Sequence, residues 1–251
     1  CGVAYLDIPC PLREGDRVAE LPPRLDQALS QLDAAGLDLL TPFEASTYNA
    51  LIEGHPWLKS IDTFGRERAC ALLIGNTRAL WPALKRAVET QPELLSLDPV
   101  DRHVETSVAA AVQTLDVRSS IHYGHHRGVH MVSLLHAAEA SGLAHLGPAY
   151  LAVHPEYGLW FAMRAMVVLD WPWEEAVAPP PNLCADCDAP CVEALNAAKA
   201  QQREAASGRG MGPGWREWVK IRDVCPVGQP ARYSDEQIRY HYTLDMTTLR
   251  P

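Results

Sequence analysis

Four cysteines late in the chain are the residues whose type and spacing most plainly offer chemistry. Cys184, Cys187 and Cys191 are separated by two and three residues, and Cys225 follows further on. Four thiolates can hold either a tetrahedral zinc ion or an iron–sulfur cluster. In the usual ferredoxin spacing a third cysteine follows after two residues, and that position is Pro190 here. The group predicts a metal site, with loop thiols that bind no metal as the alternative.

A second group of candidate ligands lies in the stretch IHYGHHRGVH. Its histidines are His122, His125, His126 and His130. Imidazole is the commonest metal ligand, but the position of this stretch after a predicted strand favours a solvated loop. His136 differs, because it lies in a predicted helix among leucines and alanines. It is either a core residue with one satisfied nitrogen or a hydrogen-bond donor that faces a cofactor.

Arg164 interrupts an apolar run from Leu159 to Leu169. If this run is a strand, alternation divides it into two faces, one with Trp160, Ala162, Arg164 and Met166, the other with Phe161, Met163, Ala165 and Val167. Burying a guanidinium without an anionic or carbonyl partner costs several kcal/mol. Arg164 is therefore predicted to hold a ligand.

The run that carries Arg164 follows the turn residues Pro155 and Gly158 and a shorter apolar run, Ala149 to Val153. This pattern predicts a hairpin of two strands. Elsewhere the spacing predicts helices at 23–36, 80–88, 98–115, 130–142 and 192–206, strands at 70–74 and 117–123, and a loop at 41–56. The predicted fold class is α+β, with a mixed or antiparallel sheet flanked by helices.

Composition predicts three regions and limits the partners. They are an N-terminal arm at 1–22, a core at 23–178, and a C-terminal segment at 179–251 with the cysteine group and an arginine-rich tail. The net charge of −9 argues against a nucleic-acid partner. No apolar run approaches the roughly 20 residues of a membrane span. Clustered rather than evenly paired cysteines favour a cytoplasmic location.

The tail combines tryptophans with arginines. In a helix, Trp215, Trp218 and Arg222 would share one side, and Arg232, Arg239 and Arg250 follow. Two interpretations remain open. The arginines form surface ion pairs, or several of them converge on a carboxylated ligand, for which the guanidinium fork is suited.

Several blocks of the chain, in the same order, resemble the cobalamin-processing proteins of the cblC type. These blocks are TPFEASTYNAL, LDPVDRHV, HPEYGLWFAMRAMVVL and WREWVKIRDVCPVGQPARYSDEQIRYHY. That family removes the upper-axial ligand of cyanocobalamin and alkylcobalamins. The resemblance implies a modified nitroreductase-like fold, base-off binding of cobalamin, and reductive decyanation or thiol-dependent dealkylation.

The resemblance also carries residue roles to this chain. Arg164 and Arg222 match arginines that bind the carboxylates of glutathione, and Arg250 falls near a third. His136 matches a histidine that lines the cobalamin site, and 146–150 match a strand beside the corrin. The cobalamin contacts implied in this way are His136, Leu146, Gly147, Pro148, Ala149, Tyr150 and Trp160.

The segment ASGLAHLGPAY is more similar to epoxyqueuosine reductase, another cobalamin-using family. In that family a lysine follows the glycine, where this chain has Pro148, and the cysteine group looks like a thinned version of its iron–sulfur region. The reductant therefore stays open among glutathione, FMN and an iron–sulfur centre. Alternative functions are a corrinoid chaperone without turnover and an iron–sulfur oxidoreductase. A homodimer or a downstream cobalamin-accepting protein is the expected macromolecular partner.

Overall fold

The computed structural model describes residues 24–96, 98–126, 131–204, 212 and 214–250. Its helices are α1 Leu25–Ala34, α2 Ala45–Leu51, α3 Leu80–Thr90, α4 Pro99–Thr114, α5 Leu134–Ala140, α6 Pro190–Glu204, α7 Trp215–Asp223 and α8 Asp235–Thr243. Its strands are β1 Leu39–Glu44, β2 Ala69–Asn76, β3 Ser119–Tyr123, β4 His145–Leu146, β5 Ala152–Val153 and β6 Ala162–Pro172. The predicted arm at 1–22 lies outside the described residues.

Four strands form the main sheet, in the order β1-β2-β6-β3, and every neighbouring pair is antiparallel. The central strand β6 is buried from Ala165 to Leu169, on both of its faces. A strand buried on both faces reads as a continuous apolar run rather than an alternating one. The structure confirms the α+β class and the antiparallel sheet flanked by helices.

Helices cover both faces of this sheet. On one face, Leu72 and Val167 belong to a core shared with α1, α3 and α4. On the other, Leu73 and Val168 pack in a second core with α2 and α5. The C-terminal helix α8 joins the first face through Tyr240, so the tail returns to the core. Among the described residues, no helix is long and apolar enough to cross a membrane.

The predicted hairpin before β6 is wrong. The short strand β5 pairs with β4, while β6 pairs with β2 and β3. Between them, His154 Nδ1 accepts hydrogen bonds from the backbone N–H groups of Glu156 and Tyr157, at 3.0 and 3.2 Å. Gly158, at φ 55°, then packs against the backbone of Val227. His154 and Gly158 also exchange two backbone hydrogen bonds of 2.9 Å in an isolated antiparallel bridge, so a tight turn forms here, but β5 and β6 on either side of it do not pair with each other.

The loop predicted at 41–56 is also wrong, because this stretch contains most of β1 and all of α2. Pro42 lies within β1, which is an edge strand. Proline is tolerated at a sheet edge because its missing N–H need not face another strand. The other predicted helices and strands are confirmed to within a few residues, except that residues 23, 130, 205 and 206 of the predicted helices lie outside the described residues.

Candidate functional site

Arg164 lies at an irregularity in the sheet. Ile74 of β2 pairs with Ala165, but the next residue, Gly75, pairs with Met163, so Arg164 is an extra residue in β6. Such a bulge turns the side chains on either side of it. Met163 consequently packs with the second core and Ala165 with the first, and the prediction that these two share a face is wrong.

The bulge directs the Arg164 guanidinium to Asn76. Its Nε donates to Asn76 Oδ1 at 2.6 Å. Among the described residues no carboxylate forms an ion pair with Arg164, although the charge of Asp101 acts on it. Burial lowers the pKa of Arg164, and the positive charge of Arg222 adds to this lowering. The structure thus brings Arg164 and Arg222 together around one half-buried region.

Arg222 extends from α7 toward the turn before β6. Its Nε donates to the Tyr242 hydroxyl at 3.1 Å, and its Nη1 donates to the Leu159 carbonyl. Two guanidiniums lie near the ring of Trp160, with Arg222 Cζ 6.0 Å and Arg232 Cζ 5.4 Å from its centre. Trp160 is fully buried in a small cluster with Val219. Its predicted contact with cobalamin stays a prediction.

Several buried polar atoms in the described part of the chain lack partners, and two of their side chains, Tyr233 and His241, lie close enough to Arg164 and Arg222 for these charges to act on them. Among the described residues, Tyr233 Oη, Gln237 Nε2, His241 Nε2 and Trp160 Nε1 are buried and have no hydrogen-bond partner. Burial and the charges of Arg164 and Arg222 lower the pKa of His241 to about 3. Burial also raises the pKa of Tyr233 to about 12. Neutral hydrogen-bonding groups beside two cations form a region suited to an anionic or carbonyl-bearing ligand.

Arg250 is not brought into this region by any contact that the described residues make. It is exposed, immediately after the 3₁₀ turn Met246–Leu249. Arg239 likewise pairs with Asp245, at 2.6 Å, on the surface. The two interpretations of the tail arginines therefore divide between residues: Arg239 forms a surface ion pair, and Arg222 points inward.

A cavity of about 340 Å³ opens beside Arg164. Its walls come from α4, the turn after β3, the start of α5 and β6, and they include Asp101, His125, Ser133, Met163 and Arg164. This volume falls in the usual range of small-molecule sites. Apolar side chains such as Met163 and Leu134 share the lining with ionisable groups such as Asp101 and Arg164, so the cavity can bind a ligand that has both polar and apolar parts.

His136 supports the wall formed by α5. It is 8% exposed, and its Nδ1 lies 2.7 Å from the hydroxyl of Ser133, which lines the cavity. The edge of its ring meets His55 at 5.5 Å between centres. Burial and the nearby His55 lower the pKa of His136, which keeps the imidazole neutral. One ring nitrogen is satisfied, as expected of a core histidine, and the role toward a cofactor stays a prediction.

The four predicted cysteine ligands line one apolar cavity. Cys184, Cys187, Cys191 and Cys225 share it with Gly147, Pro148 and Ala149. Burial raises the pKa of the Cys184 and Cys225 thiols, and the neighbouring cysteines add to the effect. Because like charges would gather in an apolar space, all four can ionise together only with a cation between them. The donor set therefore fits a thiolate-bound metal centre.

The spacing of the sulfurs bears on which metal centre fits. Among the described residues, no three cysteine Sγ atoms lie within 4.8 Å of one another. A tetrahedral zinc ion with bonds of about 2.3 Å would hold its sulfurs about 3.8 Å apart. An iron–sulfur cluster separates them more, since each sulfur binds a different iron. The free space is about 20 Å³, so either centre would have to push the cavity walls apart.

Residues 146–150 form the turn between β4 and β5. Gly147 donates its N–H to the Leu151 carbonyl at 2.9 Å, and Tyr150 adopts a positive φ of 58°. A Cβ on Gly147 would lie 3.3 Å from Cys184 Sγ. Pro148 and Tyr150 are exposed, while Ala149 is buried. The turn predicted to lie beside a corrin is therefore in direct contact with the cysteine group.

Asn76, Tyr233 and His241 were missed by reasoning from the sequence. Asn76 ends a buried apolar strand, and the other two lie in the tail, so only the fold brings them to Arg164. One signal was available for Asn76. It is a polar residue directly after the run ALLIG, and an amide at the end of a buried strand requires hydrogen-bond partners.

No family model matches the sequence, and no curated protein matches it. Solved structures do share its fold. A C. elegans B12-trafficking protein, CblC, described as a homologue of human MMACHC, matches with a TM-score of 0.66 at 17% identity over 90% of this chain and 94% of that one. This chain has the fold of CblC. An epoxyqueuosine reductase matches with a TM-score of 0.52 at 13% identity, over 90% of this chain and 70% of that one.

At these identities the likeness concerns the fold. It confirms the nitroreductase-like α+β architecture that the resemblance implied, with the CblC match and the second likeness to epoxyqueuosine reductase both as predicted. The match to CblC covers 90% of this chain and 94% of that one.

Proposed function

We propose that this chain binds cobalamin as its substrate, in the base-off form, and removes the upper-axial ligand. The observation that carries the proposal is the CblC fold, shared over 90% of the chain with a protein described as B12-trafficking. The quoted sequence blocks resemble the same family, and three of them contribute residues to the two cavities: Asp101, Met163 and Arg164 line the larger one, and Leu159 and Cys225 line the cysteine cavity. Fold and residues thus support one function.

In this proposal the corrin edge enters beside α5, and the turn Gly147–Tyr150 approaches its face. Gly147 has no side chain to block that approach. In the base-off form the lower nucleotide ligand stays outside the cavity, which leaves cobalt weakly coordinated. The protein's part is binding and orientation, while cobalt supplies the reactive centre.

Dealkylation needs a thiolate, and Arg164 and Arg222 are proposed to hold the carboxylates of a thiol such as glutathione. The sulfur attacks the alkyl carbon, a carbon–sulfur bond forms, and the cobalt–carbon bond breaks. The electron pair of that bond stays on cobalt, so the products are a thioether and cob(I)alamin. The unpartnered polar atoms of Tyr233, Gln237 and His241 support a ligand in this region.

Decyanation needs an electron donor, and here the cysteine group supports an iron–sulfur centre. Cys184, Cys187, Cys191 and Cys225 would hold it, and it would supply single electrons. Gly147 lines the same cavity as the cysteines, and a Cβ at this position would lie 3.3 Å from Cys184 Sγ, so the turn proposed to approach the corrin touches the cysteine group. Such proximity favours an electron path from the cysteines to the substrate.

A spectral titration tests the proposal. Purified protein is mixed with methylcobalamin or cyanocobalamin, first without reductant and then with glutathione. We expect a shift to the base-off visible spectrum, followed by loss of the upper ligand. Arg164→Ala should retain the first change and lose glutathione-dependent dealkylation. Arg86→Ala, an exposed arginine on α3, is the matched control and should behave as wild type.

The outcomes separate the alternatives. An unchanged spectrum at high protein excess would reject cobalamin binding. Base-off binding with no ligand loss under any reductant would indicate a corrinoid chaperone. A brown protein whose spectrum does not change when cobalamin is added would indicate an iron–sulfur oxidoreductase. The likeness to epoxyqueuosine reductase and the cysteine cavity support this function as the second candidate.

The metal centre has its own test. Protein purified without oxygen is assayed for iron, zinc and acid-labile sulfide. Iron with sulfide that disappears in Cys187→Ala, and persists in Cys70→Ala, would support the cluster. Cys70 is a buried sheet cysteine outside the group, so it controls for the loss of any thiol.

A further inference from the structure

Two histidines and a glutamate converge at the rim of the cavity. Nε2 of His125 and Nε2 of His126 lie 2.8 and 2.9 Å from the same oxygen, Glu105 Oε1. All three atoms lie within 4.8 Å of one another. We propose that Glu105, His125 and His126 bind a divalent transition-metal ion of the zinc class, at a site separate from the cysteine group.

The donor set has the chemistry of such a site. Two imidazole nitrogens and one carboxylate oxygen form a common three-ligand set for zinc, with further positions left for water or substrate. Hard cations such as magnesium prefer oxygen ligands alone. Two carboxylates face His125, Asp101 at 3.6 Å from Nδ1 and Glu105 at 2.8 Å from Nε2. A cation would therefore reduce a local excess of negative charge.

Asp101 supports His125 from the other side of the ring. Its Oδ1 lies 3.6 Å from His125 Nδ1. A carboxylate behind a metal-bound histidine holds the proton on the far nitrogen and leaves the near nitrogen free to bind the metal. Such a carboxylate–histidine–metal arrangement needs only a small tightening of this distance.

The geometry needs only a small change at the ligands as well. Zinc bonds of about 2.0–2.1 Å in tetrahedral geometry place neighbouring ligand atoms about 3.3 Å apart. The present distances of 2.8 and 2.9 Å would thus open by about half an ångström. The side chain of His126 is 61% exposed and that of Glu105 is 42% exposed, so both can rotate and solvent reaches the site. The ion would be exchangeable and would keep an open position.

The site connects two parts of the cavity wall. Glu105 belongs to α4, and both histidines follow β3. His125 and Asp101 line the cavity that also holds Arg164. A bound ion would fix the turn after β3 against α4, and it would place a second Lewis-acidic centre at the cavity rim. This inference stands apart from the proposed function, since it concerns the protein without cobalamin.

Zinc titration calorimetry tests the site, with the thiols first alkylated by iodoacetamide so that the cysteine group cannot bind. We expect one equivalent of zinc in the wild type. Glu105→Gln, which keeps the size of the side chain, and His126→Ala should each weaken binding at least tenfold. His122→Ala is the matched control, because this nearby histidine contacts Ser120 instead and should leave binding unchanged.

A second measurement covers loss of fold and incomplete alkylation. Cobalt(II) added to untreated protein should give ligand-field bands without thiolate charge transfer from this site, and Glu105→Gln should remove only those bands. Equal zinc binding in wild type and in both ligand variants would overturn the proposal. An unaltered cobalt(II) spectrum in folded Glu105→Gln would also overturn the proposal. The two imidazoles would then only be hydrogen-bonded to the Glu105 carboxylate, without binding a metal.

Discussion

Arg164 and Asn76 are joined across neighbouring strands, by a hydrogen bond of 2.6 Å from Nε to Oδ1, at the point where the register of β2 and β6 shifts. Asn76 is fully buried, and its Nδ2 donates to the carbonyl of Thr77 at 2.7 Å. The orientation of the amide is therefore also fixed by a hydrogen bond that does not involve Arg164. This bond sets the direction of a guanidinium that has no carboxylate partner among the described residues.

Asn76→Ala should weaken both the fold and the proposed thiol reaction. Removing the amide leaves the Arg164 Nε without its partner, and an unsatisfied buried donor costs about 1–3 kcal/mol. We expect the free energy of unfolding in urea to fall by that amount. Glutathione-dependent dealkylation should fall at least tenfold, while base-off binding of cobalamin is retained.

Asn49→Ala is the matched control for this substitution. Asn49 also bridges backbone groups, with Nδ2 donating to the Ile61 carbonyl at 3.0 Å and Oδ1 accepting from the Ile61 N–H at 2.8 Å, but it lies away from Arg164. It should lose similar stability without losing dealkylation. Equal losses of activity in both variants would show that Asn76 acts only through stability.

Arg222→Lys should raise the KM for the thiol substrate by about 10–100-fold, the equivalent of about one hydrogen bond to a charged group. Lysine keeps the charge, but it lacks the planar fork with which Arg222 reaches Tyr242 through Nε and the Leu159 carbonyl through Nη1. Initial rates of dealkylation against glutathione concentration measure the effect.

Arg232→Lys is the control for Arg222→Lys. Arg232 also lies over the ring of Trp160, but it is paired with Asp223 and Asp235, each at 2.8 Å. Its charge is already neutralised, so the KM should stay near the wild-type value. A comparable rise in KM for both variants would argue that the ring of Trp160, and not a direct contact of Arg222, determines thiol binding.

Features of this molecule that depend on neighbouring residues can be predicted from the sequence. Features that depend on contacts between distant segments cannot. Local patterns predict β6, because a strand buried on both faces must be apolar throughout. They also predict the cysteine group, since three of its members lie within eight residues. Neither needs a partner from a distant part of the chain to be recognised.

Features decided between distant segments are not predicted in this way. The bulge at Arg164 depends on the register between β2 and β6, and alternation within one strand cannot reveal it. The polar atoms of Tyr233 and His241 reach Arg164 only because α8 returns to the sheet. β5 and β6, on either side of the turn after His154, do not pair with each other, because β5 pairs with β4 and β6 pairs with β2 and β3.

Gly158→Ala should destabilise the protein by about 1–3 kcal/mol or more. A Cβ at this position would fall on the carbonyl of Val227, which is backbone and cannot rotate away. Gly54→Ala is the control, since Gly54 has a similarly positive φ of 78° but open space around it. The difference between the two urea midpoints isolates the steric contact from backbone strain. If the two variants lose equal stability, the loop before β6 does not pack against the C-terminal segment.

His154 should make the protein less stable in acid. Burial lowers the pKa of His154 from 6.5 to about 4. Its Nδ1 accepts two backbone hydrogen bonds, which only the neutral ring can do. As the pH falls below 6.5, His154 is protonated in the unfolded chain but stays neutral in the folded state. The stability that neutral His154 contributes is therefore complete above pH 6.5 and is lost as the pH falls toward about 4.

His154→Asn tests this pH dependence, because the asparagine oxygen can accept the same backbone N–H groups without titrating. The unfolding free energy of the wild type, measured in urea at successive pH values, should fall more steeply between pH 6.5 and about 4 than that of the variant. Below about pH 4 the two curves should run parallel, since His154 is then protonated in both states and any further loss belongs to other groups, such as His241 with a pKa of about 3. Parallel curves across the whole range would mean that His154 is not held neutral by the fold.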